Sequence, residues 1–233
     1  MAENMPPLLQ CPLCKSSTTH YHTDKIRKYY QCEQCRMVFA DPDSFLNRAD
    51  EKERYELHEN DPADEGYRQF LAQVLPPLLC RLDLGMSGVD YGCGPGPALK
   101  QMLEEAGMQM ALYDPFYAPD TQVLNQQYDF VTATEVVEHF YHPARDWAQL
   151  NRLVKPGGIL AVMTSLLLPE TDFNAWYYRT ETTHVMFYTP ETIRYIAKKL
   201  NLVIEILEDP VILFRKPAKT PSSEEPACEN QKP

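Results

Sequence analysis

The chain has 233 residues, with 22 basic side chains against 33 acidic ones and a net charge of −11. That balance argues against broad, sequence-independent binding to nucleic acid, which works by neutralising phosphates. No apolar run reaches the roughly 18 residues of a membrane-spanning helix, and residues 1–10 lack the basic start and long apolar stretch of a secretory leader, so a soluble, cytoplasmic protein with no membrane partner is expected.

Two C-x-x-C pairs, Cys11-Pro12-Leu13-Cys14 and Cys32-Glu33-Gln34-Cys35, stand 17 residues apart. This is the spacing of a zinc ribbon: each pair sits on a tight turn, and two turns complete a tetrahedron of thiolates around a structural Zn²⁺. Four of the seven cysteines fall in this one segment, and the expected metal ligands are Cys11, Cys14, Cys32 and Cys35. Strands are expected at 25–31 and 37–39, with His20 and His22 between the knuckles, where either could replace a ligand but an exposed loop is the expectation. A ribbon this small builds little core of its own, so metal binding supplies its folding energy.

Residues 43–80 read as a helical connector. A charged helix is expected at 49–58, broken by Asp61-Pro62. Asp64 is placed to cap a second helix with Phe70, Leu71, Val74, Leu75 and Leu78 on its apolar face, until Pro76-Pro77 kinks or ends it.

The run Val89-Asp90-Tyr91-Gly92-Cys93-Gly94-Pro95-Gly96 is a buried strand that ends in an acidic residue and enters a glycine turn. A helix with Leu99, Met102, Leu103 and Ala106 on one face follows. Glycines this close together let the backbone approach a ligand without Cβ in the way, and the helix behind them presents free N–H groups. The dinucleotide fingerprint would need a third glycine where Pro97 stands. A short apolar run then ends at Asp114, about 20 positions on, where a carboxylate accepts hydrogen bonds from a ribose. Further along come 128–140, with Asp129, Glu135, Glu138 and His139, and then Leu153-Val154-Lys155-Pro156-Gly157-Gly158.

In order and spacing these four segments, spanning about 64–214, resemble the class I S-adenosylmethionine-dependent methyltransferases. The resemblance implies an α/β fold, a Rossmann-like sheet of seven strands or an abbreviated form of it, with helices on both faces. It also implies S-adenosylmethionine as cofactor, held by Asp90, Gly92, Gly94, Gly96, Asp114 and the backbone near Thr134 and Glu135. A helix before the first strand commonly closes over the cofactor in this family, which makes Tyr55, His58, Tyr67 and Arg68 candidates for lining the pocket.

Strands are expected to begin near Gly88, Met108, Tyr128, Ile159, Leu202 and Val211, with a short extra one around 121–124. Asp120 is a weak candidate for the adenine amino group. Pro143 and Thr189-Pro190-Glu191 start helices, with Trp147 and Leu150 facing the sheet, and Glu208-Asp209-Pro210 turns between the last two strands. The whole divides into a ribbon (1–42), a connector (43–80), a methyltransferase core (81–216) and a disordered tail (217–233).

Two places carry the candidate chemistry. His139, beside Glu138, lies at the strand-to-helix turn after the Tyr128 strand, and an imidazole there is suited to orient or deprotonate an acceptor. The stretch 172–188 crowds aromatic side chains with Arg179, Glu181 and His184. Thr183-His184 and Phe187 resemble an element of small-molecule methyltransferases, which makes His184 the better candidate for a catalytic role. No Asn/Asp-Pro-Pro-aromatic tetrapeptide follows the Tyr128 strand and no Pro-Cys pair sits in the core, which weakens base methylation of nucleic acid. The expected function is methyl transfer to an O, N or C acceptor on a small molecule or carrier-bound group. An RNA methyltransferase that uses its ribbon to hold substrate, and a non-catalytic scaffold, stand as alternatives.

Overall fold

The computed structural model describes residues 9–57 and 61–218. His58 and almost all of the expected tail, with Cys228, lie outside them. The ribbon is an antiparallel meander of β1 (Thr18–Thr23), β2 (Lys28–Cys32) and β3 (Val38–Ala40). The strand β1 was not expected. It places His20 and His22 in the sheet rather than in a loop, and neither histidine joins the cysteines. His20 bonds Thr23, and His22 packs on Tyr29 and Phe173.

The connector forms α1 (Arg48–Tyr55), capped by Asn47, and α2 (Glu65–Leu71), whose Tyr67 N–H is capped by Asp64 at 2.6 Å. The apolar face continues through a 3₁₀ turn into α3 (Leu75–Leu79), because Pro76 and Pro77 fall in the first turn of α3, where missing N–H groups cost nothing.

The core follows as β4 (Ser87–Tyr91), α4 (Ala98–Glu105), β5 (Gln109–Tyr113), β6 (Tyr128–Thr134), α5 (Pro143–Leu153), β7 (Val154–Met163), β8 (Met186–Phe187), α6 (Pro190–Leu200), β9 (Val203–Leu207) and β10 (Val211–Arg215). Six strands make the main sheet in the order β5-β4-β6-β7-β10-β9. The first four are parallel, and β10 is antiparallel to both its neighbours. Alternate residues serve opposite faces, as strand geometry requires. Phe130, Ile159, Ala161 and Leu213 pack under α2–α4, whereas Val131, Leu160, Val162 and Ile212 pack under α5 and α6 with Trp147 and Leu150. The helix α6 opens with a reciprocal Thr189–Thr192 capping box.

Two expectations need correction. The segment 121–124 is a 3₁₀ turn, Thr121–Asn125, so the sheet is the six-stranded, abbreviated form. Residues 115–127 must already carry the chain from β5 across β4 to β6, which leaves no length for a strand and its own crossover. Strand β7 begins at Val154 rather than near Ile159. Val154 pairs with Tyr128 while Ile159 pairs with Phe130, and the excess residues bulge at Gly157, whose φ is +84°.

The ribbon is not an appendage on a tether. Its β3 pairs with β8, Val38 opposite Phe187 and Phe39 opposite Met186, so four strands form one small sheet in the order β1-β2-β3-β8. Buried Arg27 donates to the carbonyls of Arg179 (2.8 Å), Thr182 (3.0 Å) and Glu181 (3.0 Å). Arg179 in turn pairs with Asp24. Tyr29 stacks edge-on against Phe173 and Phe187.

Candidate functional site

Sequential connections leave β4 in opposite directions, α4 leading to β5 on one side and β6 lying on the other. A crevice opens at the carboxyl ends of the strands at such a switch point. Here it widens into a cavity of about 860 Å³. The size falls in the range of small-molecule and cofactor sites, roughly 300–1,000 Å³.

The floor is the turn from β4 to α4. Gly92 and Gly94 hold φ of +78° and +62°, and a Cβ on Gly92 would meet Val136 at 2.5 Å. Both requirements demand glycine. Gly92, Cys93, Gly94 and Pro95 line the cavity, whereas Gly96 is buried behind them and does not. Asp90 lines the cavity with its carboxylate held by Thr132 Oγ1 at 2.7 Å. Burial lifts its pKa to about 6, the Thr132 hydrogen bond resists and the charge of Asp114 adds to the rise. Asp114 closes the β5 end. Its Oδ1 accepts from the N–H groups of Phe116 (2.8 Å) and Tyr117 (3.0 Å), and its Oδ2 from Gly94 (3.1 Å). Three of about four acceptor positions are thus taken by backbone. Burial and the charges of Asp90 and Asp114 push the Cys93 thiol up to about 12, which favours the thiol over the thiolate.

Aromatic residues form the walls: Tyr91, Tyr113, Phe116 and Tyr117 from the core, with Tyr55 from α1 and Tyr67 from α2. Of the connector candidates, Tyr55 and Tyr67 therefore reach the cavity. Arg68 turns to Glu105 at 2.8 Å instead. Asp120 is exposed and caps the 3₁₀ turn, away from the lining. The helix α1 buries no side chain. Polar straps hold it across the opening, the chief one being a fork from Arg54 to the Glu181 carboxylate at 2.8 and 3.0 Å. Burial alone would raise the Glu181 pKa, but the Arg54 fork and the Thr183 N–H outweigh it and hold it at about 2.

At the far end the loop after β6 meets the 172–188 segment. Thr134 ends β6, and Glu135 follows with φ of +53°. His139 and His184 stack edge-on with ring centroids 4.8 Å apart. Each is oriented through Nδ1 by a backbone carbonyl, Thr183 O at 3.0 Å for His139 and Tyr178 O at 2.7 Å for His184. Glu138 is fully buried, and its Oε2 accepts from Thr164 Oγ1 at 3.0 Å. Burial, and for Glu135 the neighbouring Glu138 charge, raise both carboxyls above the usual carboxylate range, and hydrogen bonding with Tyr178 holds part of that rise back.

The 172–188 segment divides its aromatics. Tyr177, Tyr178, Glu181 and His184 face the cavity, whereas Phe173, Trp176 and Phe187 pack towards the ribbon. Sequence reasoning missed Thr164 and Arg27. Thr164 directly follows β7, and its place at a strand's carboxyl end was the available signal; Arg27 gave none.

The four cysteines lie at one end of the ribbon. Cys11 Sγ is 3.6 Å from Cys35 Sγ, and Cys14 Sγ is 3.3 Å from Cys32 Sγ. Disulfides would need about 2 Å, whereas tetrahedral zinc with bonds of about 2.3 Å separates its sulfurs by about 3.8 Å. The two knuckles match in detail. Lys15 and Arg36, each just past its pair, take φ of +66° and +64°, and their N–H groups return to Cys11 O and Cys32 O. The donor set and spacing fit a four-thiolate metal.

Comparison with known proteins agrees with this geometry. A family model described as a methyltransferase domain matches residues 63–206, and no curated protein matches the sequence. Among solved structures, the fold is similar to that of 1,6-didemethyltoxoflavin-N1-methyltransferase from Burkholderia thailandensis, solved with 1,6-didemethyltoxoflavin and S-adenosylhomocysteine. The TM-score is 0.53 at 15% identity, over 85% of this chain and 99% of that one. It is also similar to an O-methyltransferase family protein from the same organism, with a TM-score of 0.50 at 14% identity, over 73% of this chain but only 64% of that one. Sheet, glycine turn, cavity and family match together make this chain a member of the methyltransferase-domain family, a class I S-adenosylmethionine-dependent methyltransferase.

Proposed function

We propose that the protein transfers the cofactor's methyl group to an O, N or C atom of a small molecule or carrier-bound group. The observation that carries this reading is the shape of the cavity. It is one continuous space with the glycine turn and two aspartates at one end and His139 and His184 at the other. Its volume of about 860 Å³ suits a cofactor and a modest acceptor rather than a polymer. The cations on its wall are already paired, Arg54 with Glu181 and Arg145 with Asp146, which speaks against a phosphate backbone and so against the RNA alternative.

In this reading Asp90, Gly92, Gly94, Asp114, Thr134 and Glu135 surround the cofactor, with Gly96 shaping the turn from behind. S-adenosylmethionine supplies an electrophilic methyl on a sulfonium. Transfer is an in-line displacement, so the protein's task is to hold the acceptor behind that methyl and exclude water. A carbonyl oxygen only accepts, so Nδ1 carries the proton in both histidines, and in a neutral ring Nε2 is then the acceptor nitrogen. His184 and His139 thus offer acceptor-orienting nitrogens. Cys11, Cys14, Cys32 and Cys35 hold a structural Zn²⁺, which fixes the ribbon and through β3 and β8 supports the acceptor wall. The connector (43–80) and core (81–216) line one cavity, which the ribbon (1–42) braces from outside.

Calorimetric titration of the zinc-loaded protein with S-adenosylmethionine and S-adenosylhomocysteine tests the reading. Binding is expected, weakened by Asp114→Ala by about 2 kcal/mol or more as its charge-assisted hydrogen bonds are lost. Absence of binding to either compound would favour the scaffold alternative.

A further inference from the structure

We infer that Glu138, His139 and His184 form a second metal site, for a divalent first-row cation, at the acceptor end of the cavity. The inference rests on the reading of this end as the acceptor side. One ligand atom from each of the three residues lies within 4.8 Å of the other two, and His139 Nε2 is 3.8 Å from Glu138 Oε1. A cation bound at about 2.1 Å from each ligand would need separations of no more than about 4.2 Å, a contraction of roughly half an ångström.

Three further observations point to a cation. Glu138 is fully buried, yet its Oε1 has no hydrogen-bond partner while Oε2 is held by Thr164. An orphaned carboxylate oxygen inside a protein is costly, and a cation satisfies it. Both histidines donate Nδ1–H to a backbone carbonyl. Metal-binding imidazoles are oriented in this way, with the tautomer fixed so that Nε2 is the ligand. Glu135, half-buried on the cavity wall, sets a second carboxylate against the fully buried Glu138, and neither makes an ion pair with lysine or arginine among the described residues. Two imidazoles with a carboxylate suit a cation from manganese to zinc better than the all-oxygen preference of magnesium or calcium. This site opens onto the cavity and leaves coordination positions for a ligand, whereas the four-cysteine site is closed.

The test uses the full-length protein with its single equivalent of zinc retained in the thiolates. It is titrated with Mn²⁺, and the free ion is followed by electron paramagnetic resonance. One Mn²⁺ per chain is expected to bind. His184→Ala, His139→Asn and Glu138→Gln should each weaken binding at least tenfold, while His20→Ala, on the exposed ribbon strand, should not change it. Titration with S-adenosylhomocysteine confirms that each variant is folded, and the three variants remove different ligands, so loss of one to misfolding leaves the other two. Absence of Mn²⁺ binding in wild type that binds S-adenosylhomocysteine would overturn the inference. So would Mn²⁺ binding unchanged in the folded variants. Failure to bind S-adenosylhomocysteine would count against the functional reading instead.

Discussion

Replacing Gly92 with alanine probes the contact between the cofactor turn and the loop that carries Glu138 and His139. Two costs add. The residue sits at φ of +78°, and holding alanine in that left-handed region costs about 1–2 kcal/mol. The new Cβ would also stand 2.5 and 2.8 Å from the two methyls of Val136, and overpacking of this kind costs about 1–3 kcal/mol. Gly92→Ala should therefore destabilise the protein by about 2–5 kcal/mol. Val136→Ala alone removes two half-buried methyls and should cost at most about 1.5 kcal/mol. In the double variant the steric part vanishes while the backbone part stays, so the two substitutions should fall short of additivity by about 1–3 kcal/mol. Urea denaturation of the zinc-loaded chain and its three variants measures this directly. Additivity within about 0.5 kcal/mol would refute the claim that Val136 is what excludes a side chain at Gly92.

Four other outcomes are expected. Asp90 has its pKa raised to about 6 by burial, so the ligand-free protein holds a proton there more tightly than the unfolded chain does. The associated stability is complete below about pH 4 and is lost as pH rises through 6. Relative to Asp90→Asn the wild type should lose up to about 3 kcal/mol between pH 4 and pH 8, and parallel stability profiles would contradict the assignment. Cys32→Ser should release the metal and make residues 9–40 sensitive to limited proteolysis, with cofactor binding still measurable; metal loss without a change in proteolysis would show that the metal does not hold the ribbon. Arg54→Ala, which leaves α1 without its fork to Glu181, should cost no more than about 1 kcal/mol globally because the arginine is partly exposed. It should nonetheless speed hydrogen exchange across α1, and unchanged exchange would mean that other straps suffice. His184→Ala should slow methyl transfer severalfold with S-adenosylhomocysteine affinity intact, whereas normal turnover would remove it from the acceptor site.

Much of the core was legible in the chain because its signals are local. The glycine turn, the Asp64 cap, the Thr189 helix start and the prolines each act within a few residues, and the structure places them where local chemistry requires. What could not be read depends on distant pairing. The strand β1 has little alternation in its sequence and forms because β2 offers an edge. Residues 115–127 look long enough for a short strand until the crossing to β6 uses them up. The crowding of aromatics in 172–188 does not show how they divide, because sequence cannot say that Phe173 and Phe187 meet Tyr29. Arg27 is the clearest case. Apart from the Tyr29 hydroxyl it donates to three carbonyls more than 150 positions away, and carbonyls carry no sequence signature.

The pairing of β3 with β8 separates what this enzyme must keep from what it is free to vary. The glycine turn and the aspartates belong wholly to the core, and in the proposed reading they hold the cofactor. The 172–188 wall is lined by core residues but braced from behind by the ribbon, through Tyr29 against Phe173 and Phe187 and through the Arg27 hydrogen bonds. A different ribbon hung on the same two-residue edge would change the support behind that wall while leaving the glycine turn untouched. Engineering or natural drift could therefore change selectivity by exchanging a module of some forty residues at the N-terminal end. The core expressed without its ribbon would present β8 as a bare edge, with the carbonyls that Arg27 now caps exposed to water.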